Sequence, residues 1–306
     1  HRLPEGRRGL AALAGRTPPA RLALLHADLA EQEGRYADAR RALLDEVRER
    51  PRWEPLARLA HLEAQAGRPA DAEALYARAA DEITAKQMRA LAWLEVQRGR
   101  LELAQGRLDG ARAHYQRAER AYSGYPLVEE HQAELLAAEG RFAEAAARYE
   151  SLAARWPRPE LQQALGDLHV YAGQPERAAP WHQRALAAYL DSARRGEAQY
   201  LHHLASFYAD VEPDPAQALA WARRDLELRD GVPARDGMAW ALYRAGRFGE
   251  ARRAMERALA PGLVDAHLLS RAGIIEIAAG RPDQGQALLA RAAAIDPGYA
   301  SFHAHH

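Results

Sequence analysis

The sequence of 306 residues has no cysteine, one lysine (Lys86) and few aromatic residues, 7% in all. Without cysteine there is no disulfide framework, thiolate zinc site, iron–sulfur cluster or cysteine nucleophile. One lysine with no glycine-rich loop beside it excludes a P-loop. The 42 basic residues, nearly all arginine, are balanced by 42 acidic ones. The chain therefore has no global attraction to nucleic acid or to an anionic membrane.

Further absences narrow the function. No apolar run approaches the roughly 18 residues of a membrane span, and the start shows no signal-peptide pattern. The sequence has no GxSxG, no GxGxxG after a strand and no HExxH. We therefore predict no catalytic residue, no cofactor and no nucleic-acid partner. The lack of cysteine slightly favours the periplasm over the cytoplasm, and the compartment stays open.

Helix-forming residues dominate the composition. Alanine supplies close to a quarter of the chain, and leucine, arginine and glutamate are frequent. These residues favour helices, while β-branched residues are scarce and no stretch alternates apolar with polar side chains. The sequence predicts an all-α fold in which small side chains let paired helices approach closely.

A short phrase recurs along the chain: glycine, usually arginine, a residue that is often aromatic or proline, and alanine five residues after the glycine. One further copy, in which Pro213 replaces the glycine, lies between the copies that begin at Gly173 and Gly246. The spacings are 33, 39, 34, 33, 40, 33 and 34 residues. Such a period is typical of a repeat protein. The copies are GRYADA (Gly34), GRPADA (Gly67), GRLDGA (Gly106), GRFAEA (Gly140), GQPERA (Gly173), PDPAQA (Pro213), GRFGEA (Gly246) and GRPDQG (Gly280).

Each copy reads as a turn between two helices. The glycine supplies the positive φ that ends a first helix, and an acidic residue follows in the first turn of a second helix. In the second helix, Ala72, Tyr76 and Ala79 have the spacing i, i+4, i+7. This spacing predicts that they share one buried face.

A unit of about 34 residues with these features resembles the tetratricopeptide repeat. The clearest copy, ELQQALGDLHVYAGQPERAAPWHQRAL, carries the family's Leu165–Gly166 pair and its turn glycine, Gly173. Its small residues stand at Ala178 and Ala185. Gly99 and Gly273 match the family's first-helix glycine elsewhere, whereas the first-helix tryptophan is absent from most units. The resemblance implies a right-handed α-solenoid, or superhelix, of antiparallel helix pairs.

We expect about eight such units and a leading half unit. Residues 1–16 align with the second half of a unit, so they are expected to be its second helix, with the first helix upstream. The array is expected to cover residues 20–306, including a short tail, 298–306. The units are expected at roughly 20–51, 53–84, 86–123, 126–157, 159–195, 197–229, 233–263 and 265–297.

Two spacings are five to seven residues longer than the others. We expect extended helices within residues 70–105 and 175–209, because that excess is one to two helical turns.

The resemblance implies that first helices line a concave groove in which peptides dock. Counting helical phase from each turn places a cluster of aromatic and acidic residues there. Such a cluster suits a protein or peptide segment with apolar and basic side chains. The alternative is that Tyr200, Phe207 and Trp240 pack between helices as core. The predicted partner-binding residues are Asp167, Tyr171, Tyr200, His203, Phe207, Asp236, Trp240 and Tyr243.

The favoured function is a non-catalytic scaffold that binds another protein. The alternative is a regulatory or substrate-recruiting region of a larger enzyme or assembly complex, because the chain begins inside a repeat. We predict no metal site. The tail histidines, His303, His305 and His306, are the nearest candidates, but a plain tail is the favoured interpretation.

Overall fold

A computed structural model describes residues 3–13 and 15–299. In these residues the chain forms seventeen α-helices and one π-helical turn, with no β-strand. The first nine helices are α1 (Leu3–Leu13), α2 (Pro19–Gln32), α3 (Tyr36–Glu49), α4 (Trp53–Gln65), α5 (Pro69–Asp81), α6 (Met88–Ala104), α7 (Leu108–Ala121), α8 (Pro126–Ala138) and α9 (Phe142–Arg155). The others are α10 (Pro159–Tyr171), α11 (Pro175–Arg194), α12 (Leu201–Ser206), the π turn (Phe207–Val211), α13 (Pro215–Leu228), α14 (Val232–Arg244), α15 (Phe248–Leu259), α16 (Ala266–Ala278) and α17 (Pro282–Ile295).

The repeated glycines end the first helices as the sequence predicts. All seven have positive φ, between 71° and 83°. At Gly67 the following Arg68 N–H donates to the carbonyl of Glu63, which closes the end of α4. Second helices such as α5 and α9 then begin with an acidic residue in the first turn. The all-α prediction is confirmed.

Small residues set the spacing between the two helices of a repeat. Ala72, Tyr76 and Ala79 are all buried, as their spacing predicts. In the next repeat, a Cβ on Gly99 of α6 would come within 2.3 Å of the Tyr115 ring on α7. Only glycine at that position leaves room for the tyrosine ring, so the helices can pack closely.

The two longer spacings arise from linkers as well as helices. In the first, α6 has 17 residues while α5 has only 13, and residues 82–87 separate them. In the second, α11 has 20 residues, and residues 195–200 precede α12. The expectation of extended helices therefore holds for α6 and α11, and the longer linkers complete the excess.

The repeat without a turn glycine has a different ending. After α12 the chain widens into the π turn, where the Glu212 N–H donates to the Phe207 carbonyl at 3.0 Å. Asp214 then caps α13 by accepting hydrogen bonds from the N–H groups of Ala216 and Gln217. Because Pro213 cannot adopt positive φ, this repeat ends its first helix with a π turn and starts its second with a side-chain cap.

The chain divides into two compact units. The first comprises residues 1–68 and 189–291, and the second comprises 69–188 and 292–306. The core of the first unit includes a cluster of apolar residues from α12 to α16. The second unit includes two apolar clusters, one from α6 to α8 and one from α8 to α10.

Sequence-distant turns meet inside the first compact unit. The Val264 N–H, between α15 and α16, donates to the Gln65 carbonyl at 2.8 Å. A Cβ on Gly231 would lie 2.7 Å from the Gln32 carbonyl oxygen. The Tyr36 side chain packs against the cluster formed by α12 to α16. We call these meetings the long-range contact; they join the ends of α2 and α4 to the turns before α14 and α16.

Candidate binding surface

A polar and aromatic surface forms where three first helices lie side by side in the first compact unit. The segment α12 with its π turn contacts α14, and α14 contacts α16. We call the group the Trp240 surface. Its residues are Asp210, Asp236, Trp240, Tyr243, Arg244, Phe248, His267 and Arg271.

The π turn positions one edge of the Trp240 surface. The Trp240 Nε1–H donates to Asp210 at 2.8 Å from Oδ2 and 3.1 Å from Oδ1. The Arg244 Nε–H donates to the Ala209 carbonyl at 2.7 Å. Asp210 and Ala209 both belong to the π turn, so its wider geometry is what presents these acceptors to α14.

A buried ion pair holds the other edge. Arg271 Nη1 lies 2.7 Å from Asp236 Oδ2, and both residues are buried. Burial acts to raise the pKa of Asp236, but the charge of Arg271 and the neighbouring His267 outweigh it. The pKa of Asp236 is therefore lowered and the carboxylate stays ionised. The Arg271 guanidinium also lies 4.8 Å from the centre of the Trp240 ring, a cation–π contact.

An aromatic row leads from the ion pairs towards solvent. Trp240 and Tyr243 stack with ring centroids 4.8 Å apart, and Tyr243 meets Phe248 at 5.8 Å. Phe248 is 39% exposed, and Trp240 and Tyr243 are half-buried. The contacts with Asp210 and Arg271 restrain the indole ring of Trp240.

Two of the predicted residues belong to a separate cluster in the same unit. Tyr200 lies 5.2 Å from Tyr189, and His203 stacks on Tyr189 at the same distance. His202 lies beside them, 4.0 Å from His203. This group packs around the fully buried Tyr189 ring, and Tyr200 and His203 are only half-buried.

The placement of Phe207 in the groove was wrong. Its side chain is fully buried, in agreement with the alternative that it packs between helices as core. The π turn adds one residue before Pro213, so counting back from that position misplaces Phe207 by about 100° around the helix.

The remaining predicted residues lie in the second compact unit. Asp167 Oδ1 lies 2.8 Å from His182 Nε2, and this contact links α10 to α11. Tyr171 is 49% exposed and makes an edge contact with Phe142, with ring centroids 5.5 Å apart.

Sequence reasoning missed Asp210, Arg244, His267 and Arg271. The copy PDPAQA gave a signal for Asp210, because a turn without glycine demands another way of ending the helix. Nothing in the sequence marked Arg271, which pairs with a residue 35 positions away. The described residues hold no group of three or more histidine, aspartate or glutamate side chains placed to bind a metal. His303, His305 and His306 lie outside them.

Comparison of the sequence with protein families decides the classification. The family described as "Tetratricopeptide repeat" matches residues 24–87, 57–126, 131–193 and 237–300. The chain belongs to the tetratricopeptide-repeat family. The glycine turns, the paired helices and the small residues at helix crossings are features of this family. As a tetratricopeptide-repeat protein it is a protein–protein interaction scaffold.

Several solved structures are similar to this chain, and yeast Tom70 is similar to it in fold. Yeast Tom70 is 14% identical, with a TM-score of 0.54, covering 91% of this chain and 58% of that one. A tetratricopeptide repeat protein from Parabacteroides merdae is 18% identical, with a TM-score of 0.46, covering 79% of this chain and 93% of that one. A chain of the APC/C hetero-tetramer Cut9–Hcn1 is 16% identical, with a TM-score of 0.49, covering 95% of this chain and 56% of that one.

No curated protein sequence matches this tetratricopeptide-repeat chain. Across the described residues, none of the helices combines the length and the apolar character needed to cross a bilayer.

Proposed function

We propose that the chain binds a segment of a partner protein, without catalysis, in the groove lined by the first helices of the first compact unit. The Trp240 surface carries this proposal. Aromatic side chains held rigid and partly exposed are the usual energetic centres of protein interfaces, because they bury much apolar area at little entropic cost.

Charge on the Trp240 surface defines the partner further. Asp236 and Arg271 neutralise each other in the interior, and the Asp210 side chain, 39% exposed, lies 3.5 Å from Arg244 Nε and 3.8 Å from Arg271 Nη2. The aromatic row ends at the exposed Phe248. Because these aspartates and arginines balance one another, a segment that places an apolar side chain on Phe248 and Tyr243 complements this arrangement.

A paired substitution tests this surface. The protein and its Tyr243→Ser/Phe248→Ser variant serve as baits in a lysate of the source organism, and captured proteins are identified by mass spectrometry. The Kd of a captured partner is then measured by isothermal titration calorimetry. We expect the variant to bind it at least about tenfold more weakly, since two aromatic contacts are removed.

A matched pair in the second compact unit supplies the control. Tyr122 is 46% exposed and touches the half-buried Tyr125, with ring centroids 5.9 Å apart. The variant Tyr122→Ser/Tyr125→Ser should keep the partner's Kd. If both double variants weaken binding equally, or neither does, the Trp240 surface is not the binding site.

A further inference from the structure

A second surface of the first compact unit has the size of a ligand site. A pocket of about 610 Å³ opens between α13, α14 and α15. Small-molecule and side-chain sites in proteins commonly have about 300–1,000 Å³. The pocket shares no residue with the Trp240 surface, so it calls for its own explanation. It is lined by Arg223, Leu226, Glu227, Asp230, Arg235, Met238, Ala254, Arg257 and Ala260.

The lining separates into an apolar part and a charged part. Met238 and Ala254 are buried and Leu226 is half-buried, so together they offer an apolar floor. Arg223 and Arg257 are exposed and belong to different helices, α13 and α15. An occupant must therefore combine an apolar body with a polar or charged group.

The charges of the pocket leave an excess of arginine. Arg235 Nε pairs with Asp230 at 2.7 Å, and this hydrogen bond lowers the pKa of Asp230. That pair is internally balanced. In the described part of the chain no ion pair within 4 Å includes Arg223, Arg257 or Glu227, although at longer range the charge of Arg257 also lowers the pKa of Asp230 and that of Arg223 lowers the pKa of Glu250. With three arginines against Glu227 and Asp230, the lining of the pocket carries a net positive charge.

Arg257 is tied to the pocket through its backbone. Its carbonyl accepts a hydrogen bond from Arg235 Nη1 at 3.4 Å, which links α15 to α14. The guanidinium of Arg257 remains available, and a guanidinium matches the two oxygens of a carboxylate. A carboxylate matches this site better than a spherical anion does, because the planar guanidinium of each arginine can donate two parallel N–H bonds to its two oxygens.

We propose that this pocket binds a carboxylate carried on an apolar body, with Arg223 and Arg257 on the carboxylate and Leu226 and Met238 against the apolar part. The carboxylate comes either from an acidic side chain within an apolar segment of a protein or from a free carboxylic acid. Both sources present the same chemistry to the same residues. The site is independent of the Trp240 surface and would stand if that surface binds nothing.

The site is tested with pairs of probes that differ only in whether they carry a carboxylate or an amide. Octanoate is compared with octanamide, and the tripeptide Ac-Leu-Glu-Leu-NH₂ with Ac-Leu-Gln-Leu-NH₂, by saturation-transfer NMR with Kd from titration. We expect one or both carboxylate probes to bind about tenfold more tightly than their amides, since charge-assisted hydrogen bonds to arginine are lost with the amide.

Substitutions then assign the binding to the arginines. Arg223→Gln/Arg257→Gln should weaken the favoured carboxylate probe about tenfold and leave its amide unchanged. Arg253 is an exposed arginine on α15, the helix of Arg257, but it does not line the pocket. Arg253→Gln should therefore leave binding of the probes unchanged. All these residues are exposed, and thermal unfolding of each variant checks that its fold is kept.

The outcomes are distinct. Preference for octanoate alone identifies a free carboxylic acid as the source, and preference for the Glu tripeptide alone identifies a protein side chain. Equal binding of acid and amide in both pairs overturns the proposal. The proposal is also overturned if Arg253→Gln weakens binding of the carboxylate probe as much as Arg223→Gln/Arg257→Gln does. The effect would then be a general attraction to positive charge.

Discussion

Glu95, in the second compact unit, is paired with three side chains. Its Oε2 lies 2.8 Å from His114 Nδ1 and 2.7 Å from Arg117 Nε, and its Oε1 lies 3.0 Å from Arg98 Nη1. Burial acts to raise the pKa of Glu95. The hydrogen bonds from His114 and Arg117 and the charge of Arg98 outweigh burial and lower that pKa to about 2.

This pKa predicts a pH-dependent stability. The unfolded value is 4.5, so the stabilisation by ionised Glu95 is complete above that pH and is lost as pH falls towards about 2. We expect Glu95→Gln to destabilise the protein by about 1–3 kcal/mol at pH 7. Chemical denaturation of both proteins across pH 2–7 should show the difference shrinking below pH 4.5.

Glu212 offers a comparison for the same experiment. It is exposed, in the turn before α13. Glu212→Gln should leave the free energy of unfolding nearly unchanged at neutral pH. A difference for Glu95→Gln that is constant from pH 7 to pH 2 would show that the ionised carboxylate contributes nothing through its charge.

At the scale of the element, the start of α13 depends on a side chain. Asp214 accepts hydrogen bonds at 3.0 Å from the Ala216 N–H and at 3.1 Å from the Gln217 N–H. The helices that follow a glycine–arginine turn, such as α3 and α9, have no side-chain cap. Where proline replaces the glycine, Asp214 takes over the role of defining where the second helix begins.

Removing this cap tests its contribution. We expect Asp214→Ala to lower the free energy of unfolding by about 1 kcal/mol, since two N–H groups lose their acceptor. Asp109→Ala is the comparison, because Asp109 lies in the first turn of α7 and its side chain is 97% exposed. Urea denaturation should show a clearly smaller loss for Asp109→Ala; equal losses would mean that Asp214 acts only as a first-turn acid.

The contrast between these turns explains which features the sequence could predict. Glycine turns and the apolar residues at i, i+4 and i+7 are local signals, so helix pairs and their buried faces followed directly from them. Phe207 was misplaced because a π turn changes the helical phase without changing the residue pattern. The Asp236–Arg271 pair was missed because packing brings together residues that no local pattern connects.

At the scale of the whole molecule, the long-range contact changes how stability is distributed. In an array whose repeats touch only their neighbours, a change in one repeat affects the next and fades with distance. In the first compact unit, the turn before α14 touches the end of α2, about 200 residues earlier in the sequence, through Gly231 and Gln32. The stability of α2 should therefore depend on α14.

Two glycines near the start of α14 allow a matched test of this coupling. A Cβ on Gly231 would lie 2.7 Å from the Gln32 carbonyl oxygen, whereas a Cβ on Gly237 would meet nothing within 4 Å. Gly231→Ala should force the two segments apart. Gly237→Ala, inside α14, should instead stabilise the protein by about 0.5–1 kcal/mol, because alanine favours the helix.

Hydrogen exchange measured by mass spectrometry separates local from long-range effects. In Gly231→Ala we expect faster exchange in α2 and in the turn that contains Gln32, as well as around the substitution itself, because the backbone clash removes the packing that protects both. Gly237→Ala should leave exchange in α2 unchanged. Faster exchange confined to α13 and α14 would show that the repeats are stabilised only by their neighbours, and that the meeting of the two segments contributes nothing to either.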